Sequence, residues 1–407
     1  MSNNILLIGC TGFIGQCIIY TLLKDTNYDI LLVIRTKHNT SIENRLDIIL
    51  KNINLENNPK IRERIKLINI EYQKENNMNI YFVNNNDEQY IINNITCVIN
   101  GLADINFSRP LIKAVKNNTL TAYNWLKLIK KCKNKCNYIY LSTCYVNYHL
   151  NQTIIKEEIY ETNMNEKTLY DILDNKITSY SPYYNTYCYS KQLTEIILVK
   201  NHEHINLHII RPSIVCPAYE YPYKGYGDIQ TVNLFYYGAV TGKIPFIYLN
   251  KNTPVNSLIP VDFVANECIN HINNNDNFSL SHCSLNIENI NAYELFNLSN
   301  EFITKYNTDF FIKGKKCIPF NPIITKNIFY ILNYIIQYII IQLVNNHSIY
   351  EIWKSLEFTY KLTYVSFFIE KHKIFHTKTE YKNVDILSIY RHYLTTYFKE
   401  QVSILSI

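Results

Sequence analysis

Tyr187 stands four residues before Lys191, at the start of a helical apolar pattern carried by Leu193, Ile196, Ile197 and Val199. Side chains at i and i+4 share one helix face, so an ammonium there favours the phenolate and lowers the phenol toward the working range of a general acid. A second pair of reactive groups, the hydroxyls of Ser142 and Thr143, closes the apolar run 138–141. Side chains alternate along a strand, so one of the two faces a site and the other turns away. The third feature is a cluster of glycines: Gly9, Gly12 and Gly15, three of the chain's nine, with Thr11, Phe13 and Ile14 between them. Without Cβ atoms the backbone can pass close to a pyrophosphate, whose charge then meets the free N–H groups of a helix N-terminus.

These groups need a scaffold. The apolar run 5–8 leads directly into the glycines, and a helical pattern (Cys17, Ile18, Ile19, Leu22, Leu23) follows, which reads as strand, tight turn and helix. A second buried strand over 30–34 ends at Arg35, twenty residues past Gly15. At that position an acid suits a free ribose 2′-hydroxyl and a guanidinium suits a 2′-phosphate, so Arg35, with Lys37 and His38 behind it, points to NADP(H). Further strands at 96–99, 138–141 and 207–210 alternate with helical patterns, among them 110–132, which is interrupted at Asn117 and Asn118. This alternation predicts an α/β fold built on a doubly wound parallel sheet, which binds ligands at the carboxyl ends of its strands.

A chain of 407 residues has room for one large α/β domain and a smaller appended one. Its net charge of +6 comes without an arginine-rich stripe or a nucleic-acid-binding motif, so nucleic acid is not an expected partner. Eleven cysteines scattered singly through apolar segments read as buried, reduced thiols. Cys132 and Cys136 form a close pair that no second pair or histidine cluster completes, so no metal is expected. The first apolar run, four residues long, is too short for a secretory leader.

With these elements in place the chain resembles the alcohol-forming fatty acyl-CoA reductases, a family of the extended short-chain dehydrogenase/reductase superfamily. Besides the glycine loop, Tyr187 and Lys191, the resemblance rests on Val33-Ile34-Arg35 and on Asp104-Ile105-Asn106-Phe107 before a helix. It continues in Leu141-Ser142-Thr143-Cys144-Tyr145-Val146-Asn147, in Ile210-Arg211-Pro212-Ser213-Ile214-Val215-Cys216-Pro217-Ala218 and in Ile259-Pro260-Val261-Asp262-Phe263-Val264. A weaker echo of the family's small C-terminal helical domain lies at Phe367-Phe368 through Phe375 and from Tyr390 to Leu394. The resemblance implies a Rossmann-type reductase domain over 1–310, an apolar linker helix over 311–345 and a helical domain over 346–407. By position it makes Tyr187 the proton donor, Lys191 the partner of the phenol and of the cofactor ribose, Thr143 the hydroxyl at the end of the central strand, and Asn118 the asparagine of a relay tetrad. It implies cofactor contacts at Gly9, Thr11, Gly12, Phe13, Ile14, Gly15, Arg35, Pro212 and Ser213. The implied reaction is NADPH-dependent reduction of a long-chain fatty acyl-CoA to the alcohol through an aldehyde, with release of coenzyme A. The implied location is a cytosol-facing site on the endoplasmic reticulum or peroxisomal membrane.

Three stretches depart from the family pattern. Ile70-Glu71-Tyr72 stands where the family has Gly-Asp, Asn100-Gly101-Leu102-Ala103 replaces His-x-Ala-Ala, and Thr121-Ala122 replaces the Gly-Thr after the tetrad asparagine. They leave two other readings open: a reductase of a sterol or other ketone, which would release no thiol, and an NADP(H)-binding scaffold without catalysis. Segment 328–344 carries no charge and as a helix would span about 25 Å, short of the ~30 Å hydrocarbon core. Its polar side (Tyr330, Asn333, Tyr334, Gln337, Tyr338), with Lys313, Lys315, Lys316 and Lys326 upstream, suits a membrane surface, and burial between domains is the alternative.

Overall fold

Strands that are apolar on both faces must be covered on both faces, and here helices do so. The computed structural model describes residues 4–37, 40–72, 79–107, 109–228, 246–248, 257–285, 294–295, 297–298, 301–302, 318–320, 374–379, 381 and 384–405. Segment 328–344, the lysines upstream of it and Phe367-Phe368 lie outside the described residues. The strands are β1 (Asn4–Ile8), β2 (Asp29–Ile34), β3 (Ile65–Tyr72), β4 (Ile80–Phe82), β5 (Ile95–Asn100), β6 (Asn137–Leu141), β7 (Ile154–Ile155), β8 (Asn206–Pro212), β9 (Ile214–Cys216), β10 (Phe246–Tyr248), β11 (Leu258–Pro260), β12 (Phe278–Cys283), β13 (Ile318–Phe320) and β14 (Ile374–Phe375). Eight of them form one sheet in the order β12-β8-β6-β5-β1-β2-β3-β4. Every pairing in it is parallel except that of the edge strand β4 on β3. The order reverses around β1, which lies between β2 and β5, and in such sheets the crevice for a ligand opens at that switch point.

The helices are α1 (Phe13–Asp25), α2 (Ile42–Asn52), α3 (Pro59–Glu63), α4 (Asn86–Asn94), α5 (Leu111–Val115), α6 (Thr121–Ile129), α7 (Glu166–Leu173), α8 (Thr186–Asn201), α9 (Val261–Asn270) and α10 (Ile386–Leu405). The interruption legible at Asn117 and Asn118 is a widened π-type turn, Lys116–Leu120, joining α5 to α6. Thr121 closes it by donating its hydroxyl to the Lys116 carbonyl at 3.0 Å. Tyrosines replace aliphatic residues in the middle of β6 without stranding a hydroxyl. Tyr138 accepts from Asn100 Nδ2 at 2.7 Å and donates to the Ala122 carbonyl at 3.2 Å, and both Tyr138 and Tyr140 are fully buried.

The chain divides into two compact units. The first, Met1–Tyr226, Leu258–Leu285 and Lys373–Val384, carries the large sheet and the small pairs β9–β11 and β7–β14. The second, Gly227–Ser257, Asn286–His372 and Asp385–Ile407, carries β10–β13 and α10, where the Tyr393 hydroxyl donates to the Asp228 carbonyl at 3.0 Å. Among the described residues no helix is long and apolar enough to cross a membrane.

Candidate active site

Gly9 ends β1 with a φ of +84°, a left-handed backbone that side chains resist. A Cβ there would stand 2.7 Å from the Gly101 carbonyl carbon and the Leu102 nitrogen, and one on Gly15 would stand 2.2 Å from the Gly9 oxygen. The end of β1, the end of β5 and the start of α1 therefore meet through bare backbone. Gly12 is different: it is exposed, and its Cβ would approach nothing nearer than the Gly9 oxygen at 3.4 Å. It is the N-cap of α1, with no side-chain cap and no acidic residue in the first turn. A bare, uncapped helix start at the sheet's switch point fits the pyrophosphate of a dinucleotide. Leu102, the largest departure beside this loop, packs against the core cluster. At the end of β8, the Thr143 hydroxyl donates to the Pro212 carbonyl at 3.4 Å, while Ser213 Oγ is buried with no hydrogen-bond partner.

Arg35 follows β2 and is exposed, its guanidinium 5.4 Å from the centroid of the Tyr72 ring. Its carbonyl accepts a hydrogen bond from Arg45 on α2, and the charge of Arg45 also acts on the Cys10 thiol inside the glycine loop. Arg45 thus stands between the two cofactor-binding segments read from the sequence. Its place four residues into an amphipathic helix gave no signal of this.

At the carboxyl end of β6 the two adjacent hydroxyls part. Ser142 Oγ is buried without a hydrogen-bond partner, while Thr143 Oγ1 accepts from the Tyr145 amide at 3.3 Å and neighbours the Tyr187 phenol, on which it acts electrostatically. Tyr187 enters from the first turn of α8, whose N-cap Asn185 accepts from the Cys188 amide at 2.8 Å. Its ring is half-buried and lies 5.7 Å from that of Phe107. Burial raises the phenol above its ordinary pKa, the neighbouring Cys188 adds to the rise, and Thr143 opposes it. The expectation that Lys191 lowers this phenol is corrected here: the Lys191 ammonium is spent on the strand beneath, donating to the Leu141 carbonyl at 2.7 Å and to the Tyr140 hydroxyl at 3.1 Å. Burial pushes Lys191 down to about 7, against the pull of Glu195 one turn on.

Asn118 sits in the π-type turn and is fully buried. Its Oδ1 accepts from the Asp104 amide at 2.7 Å, and its Nδ2 donates to the Asp104 carbonyl at 3.2 Å and to Ser190 Oγ at 2.9 Å. The structure therefore brings Thr143 and Tyr187 together and holds Lys191 on β6. The Asn118 side chain pins the Asp104 loop to α8.

The model of the male sterility protein family, an NAD-binding domain, matches residues 7–268. The chain belongs to this family. Fatty acyl-CoA reductase 1 of Homo sapiens is 26% identical over 280 residues, 65% of this chain and 53% of that protein. Fatty acyl-CoA reductase 2 of Homo sapiens is 29% identical over 285 residues, with the same shares covered. The chain spans about half the length of the curated relatives it matches. Among solved structures, the terminal R domain of the myxalamid biosynthetic pathway superposes with a TM-score of 0.66 at 17% identity, covering 98% of this chain and 92% of that one. At that identity the likeness shows the fold alone. The family resemblance and the α/β fold expected from the sequence are thus both met. Among the described residues no cluster of three or more His, Cys, Asp or Glu could hold a metal ion.

Proposed function

We propose that this protein is an NADPH-dependent, alcohol-forming fatty acyl-CoA reductase. The observation that carries the reading is the convergence of the Thr143 and Tyr187 hydroxyls at the carboxyl end of β6, in a sheet whose switch point holds a bare glycine loop. NADPH when bound supplies hydride to the thioester carbon. The Tyr187 hydroxyl, joined by that of Thr143 once it turns from the Pro212 carbonyl, would stabilise the charge that builds on the carbonyl oxygen more in the transition state than in the ground state. A phenol is protonated at neutral pH and burial holds Tyr187 further to that side, so it is present as a donor for the first reduction and as the proton source for the alkoxide in the second. Lys191 fixes α8 on β6 through the Leu141 carbonyl and the Tyr140 hydroxyl, and so holds Tyr187 at the end of that strand. Gly9, Thr11, Gly12, Phe13, Ile14 and Gly15 would hold the pyrophosphate, Lys191 the ribose, Arg35 the 2′-phosphate, and Pro212 and Ser213 the far side of the nucleotide. The reductase domain is assigned to 1–310 and a helical domain to 346–407, with 311–345 between them meeting a membrane surface, in keeping with a lipid substrate.

A long-chain acyl-CoA mixed with NADPH and a thiol reagent tests the reaction. Two NADPH oxidised per thiol released, with fatty alcohol as product, are expected. One NADPH per thiol with aldehyde accumulating would make this an aldehyde-forming enzyme. NADPH oxidation by a ketone without thiol release would replace the proposal with a ketone reductase.

A further inference from the structure

Tyr72 ends β3, next to β2, and its ring lies under the guanidinium of Arg35 at 5.4 Å. The ring is itself held: the indole N–H of fully buried Trp125 on α6 donates to the Tyr72 hydroxyl at 3.3 Å. Tyr72 is half-buried against the core cluster, whereas Arg35 is exposed and makes no ion pair among the described residues. An exposed arginine has several rotatable bonds and, with no acidic partner, no reason to hold one direction. A ring face under the guanidinium supplies that direction through its quadrupole while leaving the N–H edges free for a ligand.

We propose that Tyr72 is a positioning residue for nucleotide selectivity: it holds Arg35, from a platform anchored by Trp125, in the orientation that receives a ribose 2′-phosphate. This inference rests on the NADPH preference proposed above. It assigns Tyr72 no contact with substrate and no part in the chemistry.

The test is direct binding of NADPH, NADH and 2′,5′-ADP, followed by titration calorimetry, to the unaltered protein and to Tyr72→Leu and Tyr72→Phe, with kcat and KM read alongside. Losing the ring should weaken NADPH and 2′,5′-ADP by roughly two- to thirty-fold and leave NADH and kcat unchanged. Tyr72→Phe keeps the ring face and should keep the selectivity. In an Arg35→Ala background, Tyr72→Leu should have no further effect on NADPH. Equal weakening of NADPH and NADH by Tyr72→Leu, unchanged selectivity in it, or lost selectivity in Tyr72→Phe would each overturn the inference. Should Tyr72→Leu fail to fold, Tyr72→Met, which keeps bulk against the core but has no ring face, takes its place with the same expected and overturning results. An unaltered protein that binds NADPH no better than NADH would instead overturn the cofactor reading beneath it.

Discussion

The Lys191 ammonium lies 2.7 Å from the carbonyl oxygen of Leu141, and it meets this acceptor and the Tyr140 hydroxyl in a fully buried setting. A carbonyl and a phenol satisfy the N–H groups without neutralising the charge, so burial lowers the lysine to about 7. The unfolded chain keeps its proton up to the ordinary lysine value, so between these two pKa values the unfolded state binds more protons than the native one. Stability contributed by this group should therefore rise as pH rises from about 7 toward 10.5. Buried thiols and phenols raised by burial pull the other way at the top of this range, so the rise is read as the difference in urea midpoint between the cofactor-free protein and Lys191→Met. Identical pH dependence in the two proteins would show that Lys191 titrates normally.

Tyr187→Phe removes the hydroxyl that faces Thr143 while leaving the ring against Phe107. Turnover of acyl-CoA should fall by about 10²- to 10⁴-fold, the usual worth of a positioned acid, with NADPH binding retained. Thr143→Ala should cost less, because Tyr187 remains as donor. Near-normal turnover in Tyr187→Phe would remove it from the proposed chemistry.

The glycines of the loop should separate by role. Gly15→Ala forces a Cβ to within 2.2 Å of the Gly9 oxygen, so it should lower the melting temperature sharply. Gly12→Ala meets nothing nearer than 3.4 Å and should melt within a few degrees of the unaltered protein, yet its methyl group stands on the bare face offered to the pyrophosphate. Dinucleotide affinity should drop in a protein of normal stability. If Gly12→Ala bound NADPH with full affinity, the pyrophosphate would have to lie elsewhere.

Asn118→Ala leaves both backbone polar groups of Asp104 without their side-chain partner and frees Ser190 Oγ from it. Unsatisfied buried groups cost about 1 to 3 kcal/mol each, and solvent entering the loop offsets part of that, so a loss of ~2 to 4 kcal/mol is expected in chemical denaturation. Ser190→Ala removes one of the three bonds and should cost ~1 kcal/mol. A loss confined to turnover, with stability intact, would assign Asn118 to proton relay.

Much of the framework was legible along the chain because it obeys local rules. Apolar runs of strand length, glycines at three-residue spacing and the Tyr187–Lys191 interval depend on backbone geometry and on periods of about 2 and 3.6 residues, which are written in neighbouring residues. Hence β1, β2, β5, β6 and β8, the start of α1 and the face of α8 stand where the sequence put them. The partners of those side chains were not legible, because they come from elsewhere in the chain. Lys191 shares a helix with Tyr187, yet its hydrogen-bond acceptor is 50 residues away on β6, and only the packing of α8 against that strand decided the direction of the ammonium. Tyr72 read as the loss of an acidic contact. The tertiary structure made it the ring beneath Arg35, since parallel pairing of β2 with β3 brings their carboxyl ends side by side and Trp125, 53 residues on, anchors the hydroxyl.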